Sequence, residues 1–299
     1  MEAPGQIDAN GSSARWTVGC HLGIEVVEAA TLVLHVAPAR VPGLELEETL
    51  EVVLDGQPLA VRAIEGHHGG RIHVVRSPRG ALTVDLEATV RDRTGAVASS
   101  APSPSAIGPA RDAGGLDLDQ LTYLRQSRYC PSDVLGGFAA YELGHLEPGP
   151  ELLAAVGDWV GSRLTYEGGS SGPLDTAVDS LFRGRGVCRD FAHLAIAMLR
   201  TFDVPARLVA VYAPGLSPMD FHAVVEAYVD GGWWVLDPTR LAPRPTLLRI
   251  ATGRDAADTA FLTVIDGEAP LQTAEVVAFT EGDLPEDDHT GSVSLPPAP

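Results

Sequence analysis

At 299 residues, with 45% apolar and 20% charged residues, the chain has the composition of a soluble globular protein with room for two domains. Its formal charge of −19 excludes the basic footprint that nucleic acid or an anionic membrane surface requires of a partner. All 21 basic residues are Arg and none is Lys, and the three cysteines, Cys20, Cys130 and Cys188, form no CxxC pair. Neither a disulfide framework nor a metal site follows from them, and a reducing compartment fits.

In chain order, MEAPGQIDANGSSA (1–14) has no basic start followed by an apolar run, so it reads as a flexible leader and the expected location is cytoplasmic. From 15 to 97 short alternating runs recur, TLVLHV, LEVVLDGQPLAVRAI and RIHVVRSPRGALTVDLEATV among them. Asp55-Gly56 is a two-residue hairpin signal and SPRG a longer turn. This half is expected to be a small all-β sandwich. Residues 98–115, ASSAPSPSAIGPARDAGG, read as a linker. From 116 to 281 helical patterns come first. ELLAAVGDWVGSRL follows Pro150, DTAVDSLFRGRG offers an Asp175 or Thr176 cap and a glycine stop, and Val187 to Phe202 carries a stripe of Phe191, Leu194, Ala195, Met198, Leu199 and Phe202. The runs ARLVAVY, HAVVEAYV, WWVLD, FLTVID and AEVVAF read as strands. The acidic, Pro-rich end, 282–299, is expected to be disordered.

A helix beginning near Cys188 places a thiol where unpaired backbone N–H groups and the positive end of the macrodipole favour negative charge, which makes a nucleophile of it. Such a thiol needs a base, and the base an orienting carboxylate. Asp230-Gly231 is a two-residue turn, and counting back from it pairs His222 with Thr239, which puts Asp237 on the same sheet face as His222, one diagonal step away. Ala223, Val225, Ala227, Val229, Trp234 and Leu236 line the opposite, core face.

The motifs GVCRDFAH, PAR, YAPGL, DFHA, WWVLDPT and GRDAAD, with YLRQSRYCPSD upstream, resemble bacterial transglutaminase-like proteins of the papain-like cysteine-hydrolase superfamily, from about Leu121 to Ile265. The resemblance implies an α+β fold, with a transglutaminase-like core of a helix-start Cys packed on an antiparallel sheet, preceded by the β-sandwich. It implies a catalytic triad of Cys188 as nucleophile, His222 as base and Asp237 as its orienter, working without metal or organic cofactor on a peptide or protein substrate. The implied reaction is acyl transfer on peptide or isopeptide amides, with hydrolysis by a protease or amidase ranked first. A transglutaminase using an external amine and a non-catalytic peptide-binding module are the alternatives. In the absence of Lys the chain cannot crosslink itself through lysine amines.

Three other features have plainer readings. GGSSG, Gly168 to Gly172, matches the pattern of a serine nucleophile elbow but follows a helix rather than a buried strand, so it is expected to be a loop. His67-His68 reads as a surface turn rather than a metal site, and Cys130 with Tyr129 as packing near the cleft or elsewhere in the structure.

Overall fold

The computed structural model describes residues 14–92 and 116–296. The expected linker, and all but the last residue of the leader, lie outside them. The strands β1 (Arg15–Val26), β2 (Glu28–Leu34), β3 (Leu44–Leu54), β4 (Gln57–Pro58), β5 (Val61–Glu65), β6 (Arg71–Ser77) and β7 (Gly80–Asp92) come first. There follow α1 (Leu118–Tyr123), α2 (Gly136–Leu143), α3 (Pro150–Arg163), β8 (Thr165–Tyr166), α4 (Ala177–Arg183), β9 (Arg185–Gly186) and α5 (Cys188–Thr201). The chain continues through β10 (Ala206–Tyr212), β11 (His222–Val229), β12 (Gly232–Leu236), β13 (Leu248–Gly253), α6 (Ala256–Thr259), β14 (Leu262–Glu268) and β15 (Leu271–Thr280).

Two antiparallel sheets, ordered β15-β1-β7-β3-β4 and β14-β2-β6-β5, enclose one apolar core of residues such as Leu22, Leu32, Leu34, Val75, Val84 and Leu86. Alternation along β1 and β7 supplies the inner rows. Asp55 and Gly56 take positive φ between Leu54 and Gln57, as a two-residue hairpin requires. SPRG carries the chain from one sheet to the other, since β6 pairs with β2 and β5 whereas β7 pairs with β1 and β3.

The expected bound at 281 needs correction, while the one at 97 lies outside the described residues. The strands β14 and β15 pair with β2 and β1, with Trp16 opposite Thr280, so residues 262–280 complete the N-terminal sheets rather than the unit that contains α5. Nothing local in FLTVID or AEVVAF specifies this partner.

A third sheet, β12-β11-β10-β13, is antiparallel throughout. Against Ala206, Leu208, Ala223, Val225 and Ala227 it packs α5, and Tyr212, Leu248 and Ile250 continue into the core of the two-sheet unit. Helix α5 is enclosed on nearly every side, with residues 190–200 all buried. Each buried polar side chain on it has partners. Arg200 donates to the carbonyls of Tyr123, Ala206 and Arg254, and His193 Nε2 accepts from the Ala256 N–H at 3.1 Å while its ring stacks on Tyr129 at 5.2 Å.

The other face, with Val209, Val211, Val224 and Val235, is covered as well, because Leu295 of the C-terminal segment packs there. The expectation of a disordered tail therefore fails for residues 282–296. Val235 N–H donates to the Val293 carbonyl at 2.8 Å, and Asp287 receives Arg244 through its guanidinium and its backbone N–H. Burial disfavours the Asp287 carboxylate, but these donors outweigh it and hold its pKa below the usual range.

Candidate active site

Cys188 begins α5. The turn before it is built by α4, whose Thr176–Asp179 capping box starts that helix and whose Gly184, at φ 66°, ends it in the left-handed region. Two rungs of parallel pairing, Thr165 to Arg185 and Tyr166 to Gly186, then lead the chain into the cysteine. The Asp190 carboxylate reaches back to the Val187 N–H at 2.8 Å and caps the first turn. Asp190 also accepts from Ser171 at 2.9 Å, so the GGSSG stretch is a loop, as expected, and one tied to the start of α5. Arg189 closes the network through the Gly172 carbonyl at 2.8 Å.

His222 and Asp237 lie on the β11–β12 hairpin. Asp230 and Gly231 form its positive-φ turn, and the rungs run from Val229 opposite Gly232 to Val225 opposite Leu236, the register counted from the sequence. Beyond the last rung the two side chains meet: His222 Nε2 lies 2.8 Å from Asp237 Oδ2, with both side chains fully buried. A carboxylate can only accept, so Nε2 carries the proton. The other oxygen, Oδ1, accepts from the Thr239 N–H at 2.9 Å and its hydroxyl at 2.7 Å, which fixes the carboxylate.

With Nε2 taken, the nitrogen left to His222 is Nδ1, which is buried without an aligned hydrogen bond. Cys188 is the remaining neighbour that acts on the ring. Its half-buried sulfur has its own polar contact at the Phe221 carbonyl, 4.0 Å away. Burial alone would lower the His222 pKa, but the charge and hydrogen bond of Asp237, joined by Cys188, override it and raise the value to about 10. Burial would likewise raise Asp237, and His222 with Thr239 bring it below its ordinary value instead. His222 and Asp237 thus meet at the hairpin end, and the Cys188 sulfur at the helix start lies 4.0 Å from the carbonyl of Phe221, the residue before His222.

Two residues at this site were not anticipated. Asp190 was legible, since an acidic residue three positions after Val187 is a capping signal. Tyr166 was not, because only the two-residue pairing of β8 with β9 brings it beside Cys188. Its ring lies tilted against Phe191 at 6.0 Å, and Cys188 is among the groups that act on its hydroxyl.

The motif residues elsewhere serve packing. Cys130 is wholly buried, and burial drives its thiol pKa far up. The Tyr129 N–H donates to Asp255 at 2.8 Å, joining YLRQSRYCPSD to GRDAAD behind α5. His68 is no free surface turn, for its Nε2 lies 3.0 Å from the Tyr123 hydroxyl and burial lowers its pKa to about 4. Among the described residues no group of three or more His, Cys, Asp or Glu is placed to hold a metal ion. No helix there is long and apolar enough to cross a membrane.

Residues 139–238, which span Cys188, His222 and Asp237, match the family model of the transglutaminase-like superfamily, and the chain carries a domain of that superfamily. A fold of this class supports cysteine-dependent activity in general. The structure is similar to that of a candidate cysteine protease from Cytophaga hutchinsonii, with a TM-score of 0.83 and 29% identity over 95% of this chain and 98% of that one. The sequence is also 28% identical over 221 residues to the uncharacterized protein ML0607 of Mycobacterium leprae, covering 69% of this chain and 76% of that protein.

Proposed function

We propose that the protein is a cysteine-dependent hydrolase of peptide or isopeptide amides, with Cys188 as nucleophile, His222 as general acid and base, and Asp237 as the group that orients and charges the imidazole. The observation that carries this reading is the division of labour on the ring. Asp237 occupies Nε2, and Nδ1 is left for a sulfur at a helix start. The thiolate attacks the amide carbon, a C–S bond forms, and the carbonyl electron pair moves onto oxygen. Collapse of that adduct breaks the C–N bond, the amine leaves with the proton of His222 Nδ1, and a thioester remains on Cys188. His222 then takes a proton from water, whose oxygen displaces the sulfur. An amine arriving in place of water would give transamidation from the same thioester.

The test combines labelling and trapping. Iodoacetamide should modify Cys188 ahead of Cys20 and Cys130, and a peptide-amide library should leave an acyl mass on Cys188 that the C188A variant lacks. Turnover with added primary amine then separates hydrolysis from transfer by product mass. Equal labelling of the three cysteines, with no acyl adduct and no turnover on a broad panel, would sink the proposal and favour a peptide-binding module.

A further inference from the structure

We infer that the Tyr166 hydroxyl is an oxyanion donor of the acyl-transfer site, an inference that rests on Cys188 being the nucleophile. The first ground is position. On either side of Tyr166 the backbone is held to the segment that enters the cysteine, with Thr165 N–H on the Gly184 carbonyl at 2.9 Å and Glu167 N–H on the Gly186 carbonyl at 3.0 Å. Gly186 lies directly opposite Tyr166 and two residues before Cys188. The ring rests on Phe191, three residues into α5 and hence over the same first turn as the sulfur. Although it borders a buried site, the residue is 44% exposed and so within reach of a molecule arriving from solvent.

The second ground is chemistry. The phenolic oxygen lies within reach of Cys188, whose charge and backbone N–H both act on it. An oxygen so placed still has its own proton to give. When the thiolate adds to an amide carbon, the carbonyl π pair becomes a third lone pair on oxygen. The Tyr166 O–H can then point at that oxygen without proton transfer, in a chain running from the Cys188 N–H through the phenol to the oxyanion. Each bond in such a chain polarises the next. On collapse the oxygen pair re-forms the carbonyl, the amine departs with the His222 proton, and the phenol keeps its own. The group must stay protonated to serve, and it does: burial, followed by the negative charges of Cys188 and Asp220, raises its pKa to about 12.

The experiment compares two reactions of one sulfur. Acylation by p-nitrophenyl acetate passes through a tetrahedral oxyanion, whereas alkylation by iodoacetamide forms none. In Y166F, single-turnover acylation of Cys188 should fall by ~10²–10³-fold, the range for loss of one oxyanion donor, while alkylation keeps its wild-type rate. If both rates fall together, Tyr166 only supports the fold. If acylation is unchanged or faster, the hydroxyl is a bystander or a plug. Either result overturns the inference and leaves the nucleophile standing. A wild-type Cys188 that reacts with neither reagent removes the nucleophile, and the inference with it.

Discussion

A carboxylate 2.8 Å from an imidazole, with both groups out of water, aims the ring and keeps it charged. D237N retains the shape and removes the charge, so the His222 pKa should drop from about 10 and the alkaline limb of the pH–rate profile should move to lower pH. Stability carries the same signature. His222 has a folded value above its ordinary 6.5, so its contribution is full below 6.5 and is lost as pH rises toward about 10. Asp237 has a folded value below its ordinary 3.8, so its contribution is present above 3.8 and fades as pH falls through the folded value. The stability difference between wild type and D237N, followed by thermal unfolding across pH, should therefore be widest between 3.8 and 6.5 and narrow on both sides. His193 makes the contrasting case, because burial, with Arg189 and Arg200 nearby, keeps that ring neutral and its Nε2 accepts the Ala256 N–H. H193F orphans that donor, which should cost about 1–3 kcal/mol in urea unfolding and leave Cys188 alkylation unchanged.

At the scale of elements, the start of α5 depends on a close approach that only glycine permits. A Cβ on Gly186 would stand 2.6 Å from the Asp190 Cβ and 2.8 Å from the carboxylate that caps Val187. G186A should destabilise by about 1–3 kcal/mol, as overpacking does, and slow Cys188 alkylation because the turn carrying the sulfur shifts. Where local chemistry decides an element, the letters were enough. The helix from Cys188 follows from its apolar period, and the meeting of His222 with Asp237 follows from one Asp-Gly turn whose register runs unbroken to Val225 opposite Leu236. Where a distant partner decides, they were not. The position of Tyr166 rests on two rungs of pairing with Arg185 and Gly186, too short to leave any periodicity. The sheet that β15 joins is set by β1 at the other end of the chain, and AEVVAF would have read the same on the edge of either unit.

Across the whole molecule, the two ends of the described chain are interlocked with its middle. β1 lies between β7 and β15, and β2 between β6 and β14, so residues 14–92 expressed alone would leave both strands with a bare edge over an apolar core. That fragment should not give a cooperative unfolding transition. The segment after β15 makes a separate contribution on the face of the β12-β11-β10-β13 sheet away from α5. Arg244 is 4% exposed, and its main ionic partner is Asp287, which accepts from Nε at 2.9 Å and from a terminal nitrogen at 2.8 Å. Ending the chain at Glu281 removes that carboxylate and leaves a buried guanidinium with the Val235 carbonyl, at 3.2 Å, as its remaining acceptor, while Leu295 leaves its place beside Val209 and Val224. Breaking a buried pair on one side costs about 3–5 kcal/mol, so the truncated protein should unfold at a clearly lower urea concentration than the full chain. D287N, which keeps the segment and its apolar contacts, should lose part of that amount. The Asp287 pKa is depressed in the folded protein, so the share owed to its charge is present above 3.8 and vanishes as pH falls through the folded value. Wild type and D287N should accordingly converge in acid while the truncated chain stays behind both. An unchanged urea midpoint on truncation would mean that the 282–296 segment lies on the sheet without contributing to its stability.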